Sequence, residues 1–235
     1  ANVVMAQTVA SMIEGPMQVA ALGEAPLAVE QANFRALDGR MWSNVNSMPT
    51  NKKFNAWAAY DYGTNDFAGT GMSGSADLNT LTVGGDVRMS DSIVIGMAGG
   101  YTENKSDFDN GGGDFKLTET TGSVYAGYGT GPWYVGVSML VGDLDYDVKR
   151  NITLGAGTRT ESGGTEGWTY ALRLLGGYWF NTSSGLVHGP FAKVAYQDIV
   201  VRAFSESGSS STALRYNQQD RESLQTSLGW QLAGK

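Results

Sequence analysis

From about residue 53 onward, apolar and polar positions alternate with a period of two, the signature of half-buried strands. Trp133, Val135, Val137, Met139 and Val141 share one face, opposite Tyr134, Gly136, Ser138, Leu140 and Gly142. Trp168, Tyr170, Leu172, Leu174, Gly176 and Tyr178 alternate with Thr169, Ala171, Arg173, Leu175, Gly177 and Trp179. Ile93, Ile95, Met97, Gly99 and Tyr101 form a third apolar face, and Leu224, Thr226, Leu228, Trp230 and Leu232 a fourth. The stretch around 118–128 is strand-like but ambiguous in face. Eight strands are predicted. At ~10 residues or more they exceed the ~5–6 of a mean globular strand and match the ~9–11 that a tilted membrane-spanning strand requires.

The connections predicted between these strands alternate in length. Met89-Ser90-Asp91, Gly129-Thr130-Gly131-Pro132 and Asn181-Thr182-Ser183-Ser184 are short, whereas 64–76, 105–114, 147–164 and 202–222 are long. Tight turns at one end and longer loops at the other are the pattern of an outer-membrane barrel. Trp57, Tyr60, Tyr62, Tyr125, Tyr128, Trp133, Tyr134, Tyr178, Trp179 and Phe180 lie near strand ends, where interfacial aromatic girdles are expected. Together these features predict an all-β, antiparallel transmembrane barrel.

The first fifty residues follow another period. Val3, Val4, Ala6, Val9, Ala10, Met12 and Ile13 recur at helical spacing before a stop at Gly15-Pro16. A second helix is predicted over 27–46, just after Pro26, with Leu27, Phe34, Leu37, Met41 and Val45 as its apolar stripe and Glu30, Arg35, Asp38 and Arg40 elsewhere. Twenty residues at ~1.5 Å each span ~30 Å, about the hydrocarbon thickness of a bilayer. Its four charges forbid lipid exposure, so by itself the pattern reads as a surface helix.

The barrel context reverses that reading. If the short turns are periplasmic, the first strand starts at the periplasmic side, and a helix threaded down the lumen would deliver the chain there. The charges would then meet a polar interior built from Asp86, Arg88, Arg173, Lys193, Gln197, Gln225 and Gln231, where opposite charges keep one another satisfied. Eight strands enclose only enough space for their own side chains, so a filled lumen implies further strands, expected beyond Lys235.

Composition narrows the function classes. The mean hydropathy is −0.22, no apolar run approaches the ~20 residues of a membrane helix, and a barrel escapes that test because its lumen-facing residues dilute the lipid-facing ones. A net charge of −7 argues against nucleic acid as a partner. The 235 residues include no cysteine, so disulfides and thiolate metal sites are excluded. Ala1-Asn2-Val3-Val4 has no basic segment or cleavage site of a signal peptide, and the expectation is a start inside a longer precursor.

Signals for chemistry are weak. His188 is the single histidine, and no G-x-S-x-G elbow accompanies it. Asp143, Asp145 and Asp147 share a strand face, but Val148 stands where a calcium loop needs glycine and Leu154 where it needs glutamate. Gly111-Gly112-Gly113-Asp114 is a loop tip with no following helix to bind phosphate. No catalytic residue, metal site or cofactor is expected.

Several short stretches resemble the translocator domain of autotransporters, in particular those carrying a GDSL-type esterase or lipase passenger. They are Leu144-Asp145-Tyr146, Lys149-Arg150, Leu154-Gly155, Arg159, Gly164-Thr165-Glu166-Gly167 and Gly177-Tyr178, with Phe115-Lys116-Leu117 and Ser211-Thr212-Ala213-Leu214. The resemblance implies twelve strands around one helix, of which about eight are present in this chain. It divides the sequence into 1–26, the tail of a passenger and linker; 27–50, a lumen-spanning helix; and 51–235, the barrel. Residues 6–16 look like the closing helix of such a passenger, whose catalytic Asp-x-x-His block and GDSL serine are not in this chain. The implied role is secretion and anchoring in the bacterial outer membrane, without enzyme activity. The implied partners are the membrane lipid, the chain's own passenger and the barrel-assembly machinery. A small outer-membrane enzyme, or a porin- or adhesin-like barrel, is the alternative.

Overall fold

A computed structural model describes residues 5, 8, 12, 15, 16, 19, 22–46, 54–69, 72–181, 186–207 and 211–234. One helix, α1 (Ala25–Asn46), precedes a series of strands: β1 (Phe54–Gly69), β2 (Met72–Arg88), β3 (Ile93–Phe108), β4 (Gly113–Thr130), β5 (Trp133–Leu154), β6 (Gly157–Tyr178), β7 (Phe180–Asn181), β8 (Leu186–Val201), β9 (Phe204–Ser205), β10 (Arg215–Tyr216) and β11 (Gln219–Gly234). The long strands pair antiparallel in the order β1-β2-β3-β4-β5-β6-β8-β11, and β7 continues β6 beyond Trp179 in the same register on β8. β9 and β10 form a separate two-stranded ribbon.

Alternation sorts the side chains into two environments. Outward on β5, Trp133, Val135, Val137, Met139 and Val141 are exposed, and Asp143, Asp145, Asp147 and Lys149 continue the same face. The apolar part is nine residues long, enough for one tilted membrane crossing. Inward, Leu140, Leu144, Tyr146, Val148 and Ile152 are buried. The strand with the ambiguous pattern is settled the same way: Phe115, Leu117, Glu119, Thr121 and Tyr125 of β4 face in, and Thr120, Val124 and Tyr128 face out.

The predicted long loops are mostly strand. β1 and β2 run up to residues 69 and 72, a 3₁₀ turn at Asp109–Gly111 joins β3 to β4, and Gly155 (φ +66°) turns β5 into β6. The sheet is therefore lengthened at one end, here the ribbon end, into hairpins whose backbone bonds are made strand to strand. Glycine and polar composition read as loop, but cross-strand pairing satisfies the backbone just as well. Among the described residues of the long connections, those of 202–218 keep irregular backbone around the β9–β10 ribbon. At the other end, the turn end, Arg88 and Ile93 are joined by a short bend and Thr130 and Trp133 by Gly131-Pro132. The turn predicted at 181–184 lies outside the described residues from 182 onward.

Two further expectations are corrected. Gly15 and Pro16 are themselves helical, as is Val19, so they do not end the first helical stretch. Trp57, Tyr125, Tyr134 and Trp179 are not girdle residues: they point into the lumen, where the Trp57 indole N–H and the Tyr125 and Tyr134 hydroxyls find partners that lipid could not supply. Tyr60, Tyr62, Tyr128, Trp133 and Phe180 remain on the outward face. Of the first predicted helix, Val3, Val4, Ala6, Val9, Ala10 and Ile13 lie outside the described residues.

Candidate functional site: the helix-filled lumen

α1 starts two residues before the predicted position, with Pro26 in its first turn, where a missing N–H costs no hydrogen bond. Its 22 residues span ~33 Å, and the sheet wraps it. Phe34, Leu37 and Met41 of the predicted stripe are buried, Leu27 is partly so, and the side chain of Val45 lies outside the described set. Val29, Ala32, Glu30, Asn33 and Asp38 are buried as well, which leaves an exposed strip at Gln31, Arg35 and Gly39. That strip faces the seam between the edge strands: Arg35 pairs with Asp61 of β1 at 2.8 Å, and the Gln31 amide donates to Gln225 Oε1 of β11 at 3.2 Å.

At the ribbon end the helix meets an apolar wall. Val19, Leu22, Val29 and Ala32 pack with Leu117, Leu144, Tyr146, Ile199 and Val201 in one cluster. The Tyr146 hydroxyl donates to the Leu22 carbonyl at 3.2 Å, and Gln219 Nε2 donates to the Val19 carbonyl at 3.3 Å. Of the described residues before α1, Gly15 and Thr8 lie against the β5–β6 hairpin. A Cβ on Gly15 would stand 2.7 Å from Arg150 Cδ, and the Gly155 N–H donates to Thr8 Oγ1 at 3.3 Å.

Over that end lies the 202–218 connection, clamped by a buried ion pair. Arg150 forks onto Glu206 at 2.7 and 2.5 Å and donates to the Thr212 carbonyl at 2.8 Å. The remaining Glu206 capacity is taken by the Leu214 N–H at 2.8 Å and the Tyr216 hydroxyl at 3.3 Å. Burial, with the Glu206 carboxylate beside it, pushes the Tyr216 phenol up to about 12, which keeps it a neutral donor. Phe204 stacks on Tyr216 at 4.9 Å and covers Gly163. Sequence reasoning singled out Arg150, Thr212 and Leu214 for their resemblance to a family but did not find the pairing; no spacing rule joins residues 56 apart.

Toward the turn end the wall becomes ionic. Asp38 Oδ2 accepts Arg173 Nη1 at 3.0 Å and Lys193 Nζ at 2.6 Å, and the Arg173 guanidinium lies 4.2 Å over the Phe34 ring. Two residues on, Arg40 forks onto Asp86 at 2.5 and 3.0 Å. Asp86 also accepts from Asn55 at 3.2 Å and from Tyr125 at 3.0 Å, and Tyr125 in turn accepts from Trp57 at 2.8 Å. A cavity of about 250 Å³ beside Asp38 reaches Tyr134, Lys193 and Gln231.

The structure thus brings most of the proposed lumen residues to the helix or its neighbours. Glu30 accepts from Thr169 at 3.1 Å, and Gln197 donates to the Pro26 carbonyl at 3.4 Å. Gln231 accepts from Tyr134 at 3.0 Å, and Arg88 is half-buried at the end of β2. Glu119 was missed because the face of β4 was ambiguous. His188 points outward between Phe180 and Trp230, at 5.6 and 5.8 Å between ring centres. Among the described residues no helix is long and apolar enough to cross a membrane.

An outward apolar band, a polar inner face and a helix running the length of the lumen describe a membrane barrel with an internal segment. Residues 56–235 match the autotransporter beta-domain family. The chain belongs to that family. The esterase EstA of Pseudomonas aeruginosa is 32% identical over 171 residues, covering 71% of this chain and 26% of the esterase. Lipase 1 of Photorhabdus luminescens is 28% identical over 239 residues, covering 99% of this chain and 34% of the lipase. The chain therefore spans about a quarter to a third of the length of the curated relatives it matches. Among solved structures, the translocator domain of NalP from Neisseria meningitidis superposes with a TM-score of 0.74 at 17% identity, covering 89% of this chain and 71% of that one. This autotransporter β-domain is an outer-membrane barrel that acts as a translocator and anchor.

Proposed function

We propose that this β-domain displays an N-terminal passenger of the esterase or lipase kind at the cell surface, and that the barrel itself does no chemistry. The observation that carries the reading is α1, whose Arg35, Asp38 and Arg40 each meet an opposite charge on the sheet around it. A segment held this way connects whatever precedes it to the start of β1 through the membrane. The ribbon end then faces the outside and the turn end the periplasm, as loop asymmetry requires. Identity to EstA and Lipase 1 supports the passenger class. Within this division, residues up to about 26 are linker and passenger tail, 27–50 the lumen segment and 51–235 the barrel.

β1 and β11 each have one strand partner among the described residues. Unpaired backbone groups cannot face hydrocarbon, so we infer that further strands close the seam on which Arg35 and Gln31 look out. Insertion would draw on the cell's barrel-assembly machinery and the surrounding outer-membrane lipid as partners. The packing of His188 on the outward face between the rings of Phe180 and Trp230 supports a structural role for that residue.

The test is conductance. Deleting residues 25–46 from the full-length protein should convert a nearly closed barrel into a wide pore in planar bilayers. A deletion variant that conducts no more than the intact protein would sink the lumen assignment. Hydrolysis of a short-chain p-nitrophenyl ester by intact cells, absent when the passenger is removed, would establish the passenger class.

A further inference from the structure

The inner wall carries one level where the helix is not paired by the surrounding side chains. Strand register aligns Thr82, Gly100, Thr121, Gly142 and Thr169 in a single row across β2 to β6. Two of these five positions lack a side chain, and other residues occupy the space. The Glu119 carboxylate lies against Gly142, where a Cβ would collide with it and would also stand 2.8 Å from Thr169 Cγ2. Asn33 lies against Gly100, with its Oδ1 2.8 Å from where a Cβ would be and Thr121 Oγ1 beside it. From the helix, Glu30 and Asn33, one turn apart, face this row.

The oxygens gathered here are buried and largely unpartnered. Glu30, Glu119 and Asn33 are 1%, 0% and 2% exposed. Neither oxygen of Glu119 has a hydrogen-bond partner, nor has Glu30 Oε2, Asn33 Oδ1 or Thr82 Oγ1. Of the nearby donors, Tyr146 is committed to the Leu22 carbonyl, Arg173 to Asp38 and Thr169 to the other oxygen of Glu30, while Asn33 Nδ2 and the Thr82 hydroxyl are unpartnered and, being neutral, supply no counter-charge. Two carboxylates without a counter-charge in a dry interior are strongly unfavourable. One shared proton would satisfy a single oxygen of each carboxyl and leave the second Glu119 oxygen and the Asn33 amide oxygen unpartnered.

We propose that Glu30 and Glu119 hold a hard divalent cation, Ca²⁺ by preference, that fastens α1 to the barrel wall. Its two positive charges neutralise the pair. Its flexible shell of carboxylate, amide and water oxygens suits a donor set with few charged members. No cluster of three or more acidic or histidine side chains occurs among the described residues, so neutral oxygens complete the shell. Ca²⁺ suits the site better than Mg²⁺, which demands near-ideal octahedral geometry. Because one ligand comes from the helix and one from β4, the ion links plug and wall.

The test uses the full-length protein in detergent, stripped with EDTA and titrated with Ca²⁺ by calorimetry while melting is followed separately. One Ca²⁺ per chain should bind, survive 0.5 M NaCl because buried charges are little screened, and raise the melting temperature progressively with concentration. Both effects should be lost in Glu119→Gln and in Glu30→Gln and kept in Asp145→Asn, which removes a carboxylate from the outward face. Should the glutamine variants fail to fold, the wild-type stoichiometry and its salt resistance decide. Absent binding, salt-sensitive binding at several sites, or binding lost with Asp145→Asn overturns the proposal. So does melting that ignores Ca²⁺ and rises only on acidification, which would assign a shared proton instead.

Discussion

The two halves of the lumen hold the same helix by different means. At the ribbon end α1 and the described residues before it enter an apolar cluster with Leu117, Leu144 and Tyr146, where the Tyr146 hydroxyl and the Gln219 and Gln197 amides bond backbone carbonyls and the ion pair of Glu24 with Arg221 lies at the exposed rim. At the turn end Phe34, Leu37 and Met41 pack too, but Asp38 and Arg40 also fork or bridge to charges on the wall. Apolar packing excludes water in any rotation that keeps the volume filled. Charge-assisted pairs with defined geometry admit one rotation and one axial position. The first half therefore closes the lumen, and the second sets the register of the helix within it.

The comparison can be broken most sharply at Asp86. Asp86→Ala leaves Arg40 and Tyr125 without their acceptor and should cost about 3–5 kcal/mol, read as a fall in the urea midpoint of the detergent-solubilised protein. If the register argument holds, a cysteine crosslink engineered between α1 and the wall should also form less selectively in that variant. Leu144→Ala tests the other half. A cavity there should cost about 3 kcal/mol and raise leak conductance while leaving crosslink selectivity unchanged. A selectivity loss in Leu144→Ala equal to that in Asp86→Ala would erase the distinction. Tyr146→Phe removes only the bond to Leu22 and should lower stability by about 1 kcal/mol. The smallest effect belongs to Arg35→Ala, whose pair with Asp61 is 54% and 30% exposed and should be worth under about 1 kcal/mol in the same unfolding measurement.

The outer face was legible residue by residue, because a strand between lipid and lumen must alternate and each exposed apolar position repeats every second residue. Tyr60, Tyr128 and Trp133 behave as that pattern predicts. Trp57, Tyr125, Tyr134 and Trp179 do not, since proximity to a strand end does not say which face a residue takes; one step along the strand reverses it. Loop length was misread for a related reason. Gly, Asp and Asn around 105–114 and 147–164 resemble turn composition, but long hairpins protruding into water need no apolar alternation to stay paired. The lumen residues were recoverable as a set, from polarity on the inward face, and not as pairs. Nothing local joins Asp38 to Lys193 or Arg150 to Glu206, and the glycine row that receives Glu119 exists only once five strands are in register.

By itself the sequence determined that the chain forms long antiparallel strands with one apolar face, that a charged helix of membrane length precedes them, and that its charges require a polar surrounding. These follow from local periods and from the cost of placing charge in lipid. Only the tertiary structure decided which wall residues answer Asp38 and Arg40, that the far end is sealed by packing and clamped by Arg150 and Glu206, and that Glu119 beside Gly142 and Glu30 on the helix keep three of their four carboxyl oxygens unpartnered. Those outcomes depend on sheet register and on the rotation of α1 within it, and both are set by contacts between residues far apart in the chain.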